Sequence, residues 1–385
     1  MNPPVVISRE ELRRRQEHAR ERASALGARA LVVVGGPFYD RPGDLLYLSG
    51  HQPPFPTSNF EGEHRGLGYG AVVLPVSGGT HLIVDTVAYR AERIAADEVV
   101  ATSNVPAALR RTLQRLGLAG QRLAFVGLQV APYALVAEAT DGLGVELVPA
   151  DAVLREARRR KSPAELEALR RAAEVAEVGM AAALAAIAPG RTESEVAAAG
   201  IAASIAAGAD FVRYMRVLSG PYAGWPHRWP PATDRVLVEG DTVCIDHIGA
   251  VNGYQFDILR AQVVGEGTRE LHDLMRVARE ATEAAIAACG PGVPVRDVVA
   301  AADAVLERAG HLEHRARFTG HGIGLETVEA PLVMQTSNEV LVEGDVICLE
   351  PGILKRGSYG ARFEYEVAIT ADGHEVLARE PSGAA

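Results

Sequence analysis

The stretch VLVEGDTVCID, residues 236–246, returns 104 residues later as VLVEGDVICLE, residues 340–350, with seven identical positions. In both copies Glu-Gly-Asp forms a turn signal, and the apolar, β-branched run behind it reads as a buried strand. Each run closes on a carboxylate. A carboxylate at the end of a buried strand is costly unless a positive group meets it, so two in equivalent places point to one shared cation site. The repetition extends beyond the phrase. Residues 162–188 predict a long amphipathic helix stopped by Pro189-Gly190, and Glu195-Val196 in the following helix matches Asp297-Val298 after a second stop at Pro291-Gly292, an offset of 102. Two halves of the form helix, Pro-Gly, helix, strands are the pattern of an internal duplication.

A chain of 385 residues with 48% hydrophobic side chains can bury a full core and predicts two domains. The charged segment 155–161, followed by the helix start Ser162-Pro163, places the boundary between 1–158 and 159–385. The first part alternates helix and strand: helices near 8–26, 106–116 and 133–139, with strands at 30–34, 71–76, 81–84 and 122–126. That is a small α/β layer domain. A formal charge of −10 argues against a nucleic-acid partner, and the arginine runs 13–15 and 158–160 read as solvated helix faces. Cys244, Cys289 and Cys348 cannot pair completely and form no Cys-x-x-Cys pattern, which suits a reducing cytoplasm. No signal-peptide pattern opens the chain, and no apolar run nears the ~18 residues that cross a bilayer, so no membrane partner is expected.

The acids recur in pairs. After the first copy DHIGAVNGYQFD sets Asp246 and Asp257 on either side of Asn252-Gly253. A turn at Asn-Gly makes the two acids diagonal neighbours; a turn at Val251-Asn252 makes them directly opposite. Both registers put them on one face. At ~4 Å and an effective dielectric of ~20 they repel by about 4 kcal/mol, so a counter-ion is required. The second copy ends LEPGILKRGSYGARFEYE, with Glu350 and, on a returning strand at 362–369, Glu364. Between the copies FTGHGIGLETVEAP holds His321 among glycines that permit close backbone approach. The run lacks the Lys-Ser/Thr ending of a phosphate loop. Four carboxylates and one imidazole match the inventory for two divalent cations. Oxygen-rich ligation favours Mn, with Fe, Co and Zn also compatible, and leaves Cys244 and Cys348 as small buried side chains. Water between two such ions is deprotonated near neutral pH, and a carbonyl is polarised, so the implied chemistry is hydrolysis.

The spacing of Asp246 and Asp257 with Gly-Tyr between them, Gly-His-Gly-x-Gly at His321, Glu-Pro-Gly at Glu350 and Arg-x-Glu at Glu364 resemble the aminopeptidase P, prolidase and creatinase family. The resemblance is strong from about Lys161 onward and weaker before it. It implies an α+β fold: a pita-bread catalytic domain with an internal pseudo-two-fold repeat and a curved mixed β-sheet, preceded by a smaller α/β creatinase-type N-terminal domain. It also implies that Asp246 binds one ion and that Asp257 bridges or binds both. His321 completes one coordination sphere, and Glu350 and Glu364 serve the other ion and the bridge. By the same resemblance Glu350 accepts the proton of the attacking water, His227 in WPHRWPP stabilises the tetrahedral intermediate, and Arg362 orients the ligand carboxylates. A homodimer is implied, with the loop 52–67 as a lid from a neighbouring subunit. The implied activity is hydrolysis of a C–N bond in a short peptide, as an Xaa-Pro dipeptidase or aminopeptidase. One departure opens an alternative. Proline-cleaving members carry His-Glu where this chain has Val328-Glu329, and an apolar side chain can neither donate to a carbonyl nor shuttle a proton. The family also contains creatinase, ectoine hydrolase and a dimethylsulfoniopropionate lyase, so a small polar metabolite is the second candidate substrate.

Overall fold

The structure, a computed structural model, describes residues 5–37, 41–57, 62–86 and 89–377. The chain divides into two compact units, one running from Val6 to Arg158 and the other holding the chain from Arg159 onward.

The first unit contains α1 (Arg9–Ala25), β1 (Ala30–Gly35), α2 (Gly43–Ser49), β2 (Gly70–Pro75), β3 (His81–Val84), β4 (Glu98–Ala101), α3 (Val105–Arg115), β5 (Arg122–Val126), α4 (Tyr133–Thr140), β6 (Glu146–Pro149) and most of α5 (Asp151–Arg159). Its mixed sheet has the order β4-β3-β2-β1-β5-β6. Ser8 caps α1 by accepting from the Glu11 amide at 3.1 Å. The central strands are β-branched and wholly buried, which is why they sit mid-sheet. Three elements escape the pattern argument: α2, β4 and β6 are short, and their apolar periods are too brief to register. The arginine runs are solvated only in part: Arg14 and Arg160 are exposed and Arg13 is half-buried, but the others are not. Arg15 is buried, paired with Glu11 and bonded to the Tyr47 carbonyl at 3.2 Å, and Arg158 meets Asp44 at 2.7 Å. A guanidinium can be buried where its donors are all used, and a charge count alone does not reveal that. Of the loop 52–67, residues 58–61 lie outside the described residues.

The second unit contains α6 (Pro163–Ala185), α7 (Glu193–Ala207), β7 (Phe211–Ser219), β8 (Thr242–Val251), β9 (Tyr254–Val263), α8 (Arg269–Ala287), α9 (Val295–Arg308), β10 (Gly320–Gly322), β11 (Glu329–Val333), β12 (Val346–Leu349), β13 (Gly352–Lys355), β14 (Tyr359–Arg362), β15 (Tyr365–Ile369) and β16 (His374–Val376). Ser162 and Glu165 form a capping box on α6, and Thr192 and Glu195 form another on α7. The strands make an antiparallel sheet β7-β8-β9, a second sheet β11-β10-β12-β15-β16 and a hairpin β13-β14. Backbone bridges join Thr192 to Val236 and Pro294 to Val340, so each repeated phrase is tied at its first residue to the start of a helix. The apolar faces of α6 and α7 cover Val217, Val243, Ile245, Phe256 and Ile258. Those of α8 and α9 cover Leu259, Ile347, Leu349, Val367 and Ile369. Each such side chain contributes about 1.5–3 kcal/mol on burial.

Two sequence expectations change here. The strand expected at 362–369 is broken: β14 ends at Arg362 and β15 begins at Tyr365, because the chain turns out of the β13-β14 hairpin before re-entering the sheet. Arg159, expected in a solvated run, is buried and forked onto Asp345 at 2.7 and 2.9 Å.

Candidate metal centre

Asp246, expected at the end of its strand, stands mid-way along β8 because the strand runs on to the Asn252-Gly253 turn, with Arg216 of β7 opposite on one side and Leu259 of β9 on the other. The turn is Asn252-Gly253, with φ of 52° and 84°, the left-handed pair that suits a tight hairpin. Asp257 therefore faces Ile248 and lies diagonal to Asp246 on the same face. The amide of Glu364 donates to the Leu259 carbonyl at 2.9 Å, which docks the segment before β15 onto β9 and carries Glu364 to the Asp246–Asp257 pair. One carboxylate oxygen from each of Asp246, Asp257 and Glu364 lies within 4.8 Å of the others.

His321 arrives from β10, where it pairs with Cys348 of β12. The glycines beside it are required by close packing: a Cβ on Gly320 would stand 2.0 Å from the Cys348 carbonyl oxygen, and one on Gly322 would stand 2.2 Å from that of Ala330. The His321 Nδ1 sits 3.0 Å from the Gly322 carbonyl, which can only accept, so Nδ1 carries the proton and the Nε2 lone pair is left free. That Nε2 lies 3.6 Å from Asp257, 3.8 Å from Glu364 and 4.0 Å from Glu350. Glu350 is held in turn by its amide, which donates to the Thr319 carbonyl at 2.8 Å.

The structure thus brings Asp246, Asp257, His321, Glu350 and Glu364 into one cluster, every member buried. Arg362, at the end of β14, donates to Glu350 at 2.6 Å and stands 3.9 Å from Asp246. His227 is exposed and lines the same cavity of about 890 Å³, as does Val328. Two neighbours were not found by sequence reasoning. Arg216 pairs with Asp246, and its only signal is the β7–β8 register, which no local pattern reveals. Glu366 accepts from the Asp257 amide at 2.8 Å; its spacing of two from Glu364 was a usable signal.

The electrostatics show what the cluster lacks. Four carboxylates face two guanidiniums, those of Arg216 and Arg362. Burial, then the charges of Glu364, Asp246 and Glu350, push the Asp257 carboxyl well above the ordinary carboxylate range. Burial and then Glu350 and Asp246 do the same to Glu364. Burial raises Glu350 despite the opposing Arg362. Glu364 Oε1 has no hydrogen-bond partner among the described residues, although the side chain is 2% exposed. An orphaned buried oxygen amid like charges, beside an imidazole lone pair, fits a divalent cation. Glu364 also belongs to a second group of close ligand atoms with His321 and Cys348. Burial and the surrounding acids push the Cys348 thiol well above its usual range, so it remains protonated.

Residues 167–371 match the family model described as metallopeptidase family M24. The chain is 37% identical over 234 residues to the probable dipeptidase PepE of Mycobacterium tuberculosis, covering 60% of this chain and 62% of that protein. It is 28% identical over 280 residues to the Xaa-Pro dipeptidase of Pyrococcus horikoshii, covering 72% of this chain and 79% of that protein. Among solved structures, dipeptidase PepE from Mycobacterium ulcerans superposes with a TM-score of 0.80 at 31% identity, over 98% of both chains. With buried acids and an imidazole gathered on a matched fold, this chain belongs to metallopeptidase family M24.

Proposed function

We propose that this chain is a dinuclear-metal hydrolase that cleaves a C–N bond in a short peptide, with Xaa-Pro dipeptides as its first substrates. The observation that carries this reading is Glu364, whose buried Oε1 has no hydrogen-bond partner among the described residues and whose carboxylate belongs to two groups of close ligand atoms. Asp246 and Asp257 would hold one ion, His321 and Glu350 the other, and Asp257 and Glu364 would reach both. Mn suits the oxygen-rich set, with Co, Zn and Fe as alternatives. When bound, the ions supply Lewis acidity for the scissile carbonyl and a water that ionises near neutral pH. The chain's own residues do the rest. Glu350 takes the proton of the attacking water, with Arg362 fixing its second oxygen. His227 reaches into the cavity from an exposed loop and hydrogen-bonds the oxyanion.

The cavity rim supports a dipeptide over a longer peptide. Arg317, Lys355 and Arg356 line the cavity and are exposed, and none has a carboxylate partner among the described residues. Arg356 is propped on the Trp225 ring at 5.2 Å and Lys355 on the Tyr359 ring at 5.4 Å. Such cations suit the free carboxylate of a dipeptide. We extend the reading to a pita-bread unit built by duplication, a creatinase-type first unit, a homodimer and a reducing cytoplasmic setting for three free buried cysteines.

A second reading follows from Val328, which is 54% exposed and lines the cavity without a donor, and which suits a small polar metabolite as substrate. The test is turnover of Xaa-Pro dipeptides and tripeptides with Mn²⁺ or Co²⁺ before and after chelation. Dipeptide cleavage lost on chelation is expected. Turnover unaffected by chelation sinks the metal assignment, and no cleavage of any proline peptide transfers the case to the second reading.

A further inference from the structure

His227 sits in the loop 220–235, GPYAGWPHRWPPATDR, whose outer face is open to solvent: Trp229 is 86% exposed and Trp225 42%. A long exposed loop is ordinarily a poor platform for a group that must meet a transition state to within a fraction of an ångström. Beneath this loop lies Glu193, the first residue of α7, with 0% exposure. Helix capping does not use it, because Thr192 and Glu195 already form the capping box.

The Glu193 carboxylate is divided between the two ends of the loop. Its Oε1 accepts from the Ser219 amide at 3.2 Å and the Ser219 hydroxyl at 2.7 Å, just where the loop leaves β7. Its Oε2 accepts from the Thr233 amide at 3.1 Å and the Thr233 hydroxyl at 2.6 Å, near the point of return. The same Oε2 pairs with Arg228, the residue next to His227. The Arg228 guanidinium also stacks on Tyr222 at 4.7 Å, within the loop. On the far side the loop is keyed to β13-β14: a Cβ on Gly224 would stand 2.2 Å from the Lys355 carbonyl oxygen, and one on Gly360 would stand 1.9 Å from that of Ala223.

We propose that Glu193 is a positioning residue which, through Arg228, holds His227 at the cavity wall. The idea rests on the role given to His227 above. One buried carboxylate clamps the outgoing end, the returning end and the functional segment of the same loop, which converts an exposed loop into a fixed arm.

The test is a double-mutant cycle on the Mn²⁺-loaded full chain with an Xaa-Pro dipeptide, combining Glu193→Gln with His227→Ala. Glu193→Gln is expected to lower kcat about 10–100-fold with little change in KM, and to have almost no further effect once His227 is alanine. If Glu193→Gln costs the same in both backgrounds, the positioning role is wrong while the function stands. If His227→Ala itself leaves kcat unchanged, the role of His227 falls, and the inference falls with it. Arg228→Met should reproduce the Glu193→Gln result and serves in its place if the latter does not fold. Hydrogen exchange reads the clamp without turnover: amides of 220–235 should exchange at least about tenfold faster in either variant while α7 is unchanged. Unaltered exchange overturns the clamp.

Discussion

The two units bury their strands with opposite chemistry. In the first unit β1 and β2 read ALVVVG and GAVVLP; all twelve residues are buried and none can titrate. In the second, β8 and β9 read TVCIDHIGAV and YQFDILRAQV; nineteen of the twenty are buried, yet they include Asp246, His247, Asp257 and Arg260. Hydrophobic transfer accounts for the first sheet and cannot account for the second, where burying acids side by side costs free energy. The second sheet is organised to hold charge in place, at the expense of the stability of the cation-free protein. Asp246 is met across the β7–β8 pairing by Arg216, and Arg260 and His247 find partners on the helices packed against the sheet. Arg260 reaches Glu177 and the Glu364 carbonyl, while His247 is bonded to Ser204 at 3.1 Å and Ala176 at 3.2 Å. Burial pushes that imidazole down to about 3, so it is a neutral packing group.

The sharpest test of this contrast removes an acid. Asp257→Asn or Glu364→Gln should lower kcat/KM by about 10⁴-fold, near 5.5 kcal/mol of barrier. The same variants should raise the unfolding temperature of the chelated protein. The sign follows from linkage: a carboxyl whose folded pKa is raised stabilises at low pH and loses that contribution as pH rises through the folded value, so the gain from the amide grows above the ordinary carboxylate range. Chelated variants no more stable than the chelated parent would break the comparison. The converse change belongs in the first unit. Val32→Asp, in a strand with no counter-charge, should cost about 4 kcal/mol by urea titration, because lost apolar transfer adds to the penalty on a buried acid.

The third test uses a buried titratable group of the first unit. His51 is buried, its Nε2 has no hydrogen-bond partner among the described residues, and burial pushes its pKa down to about 4. The folded state keeps it neutral, so its contribution is complete above pH ~6.5 and is lost as pH falls to about 4, an effect of about 3 kcal/mol. His51→Leu should flatten that acid limb, and an unchanged limb would remove His51 from the account. The smallest effect is expected at a feature that sets α7 rather than the charge cluster. Thr192→Ala removes the cap hydroxyl that accepts from the Glu195 amide at 3.1 Å and should cost about 1 kcal/mol, with kcat unchanged.

The acids and the imidazole were legible because each sits beside a local signal: a strand end, an Asn-Gly turn, a run of glycines. The diagonal register of Asp246 and Asp257 was one of two that the sequence permitted, and the left-handed geometry of Asn252-Gly253 selects it. The second acid pair was harder to read. A hairpin stands between Glu350 and Glu364, so the expected continuous strand at 362–369 dissolves into the end of β14 and the start of β15. Half of the residues in the two arginine runs depart from the solvated face that the sequence suggests. Arg15, Arg158 and Arg159 look like surface charge in sequence and are buried against acids 4, 114 and 186 residues away.

By itself the sequence determined the buried strands, the paired carboxylates, the glycine-flanked histidine and the requirement for positive charge among them. Those features depend on neighbours a few residues apart, through side-chain alternation, turn geometry and the cost of burying an acid. Tertiary structure alone decided which cations answer which acids, that Glu364 docks on β9, and that Glu193 grips both ends of the loop bearing His227. These are contacts between segments far apart in the chain, created by strand register and helix packing, and no local period carries them.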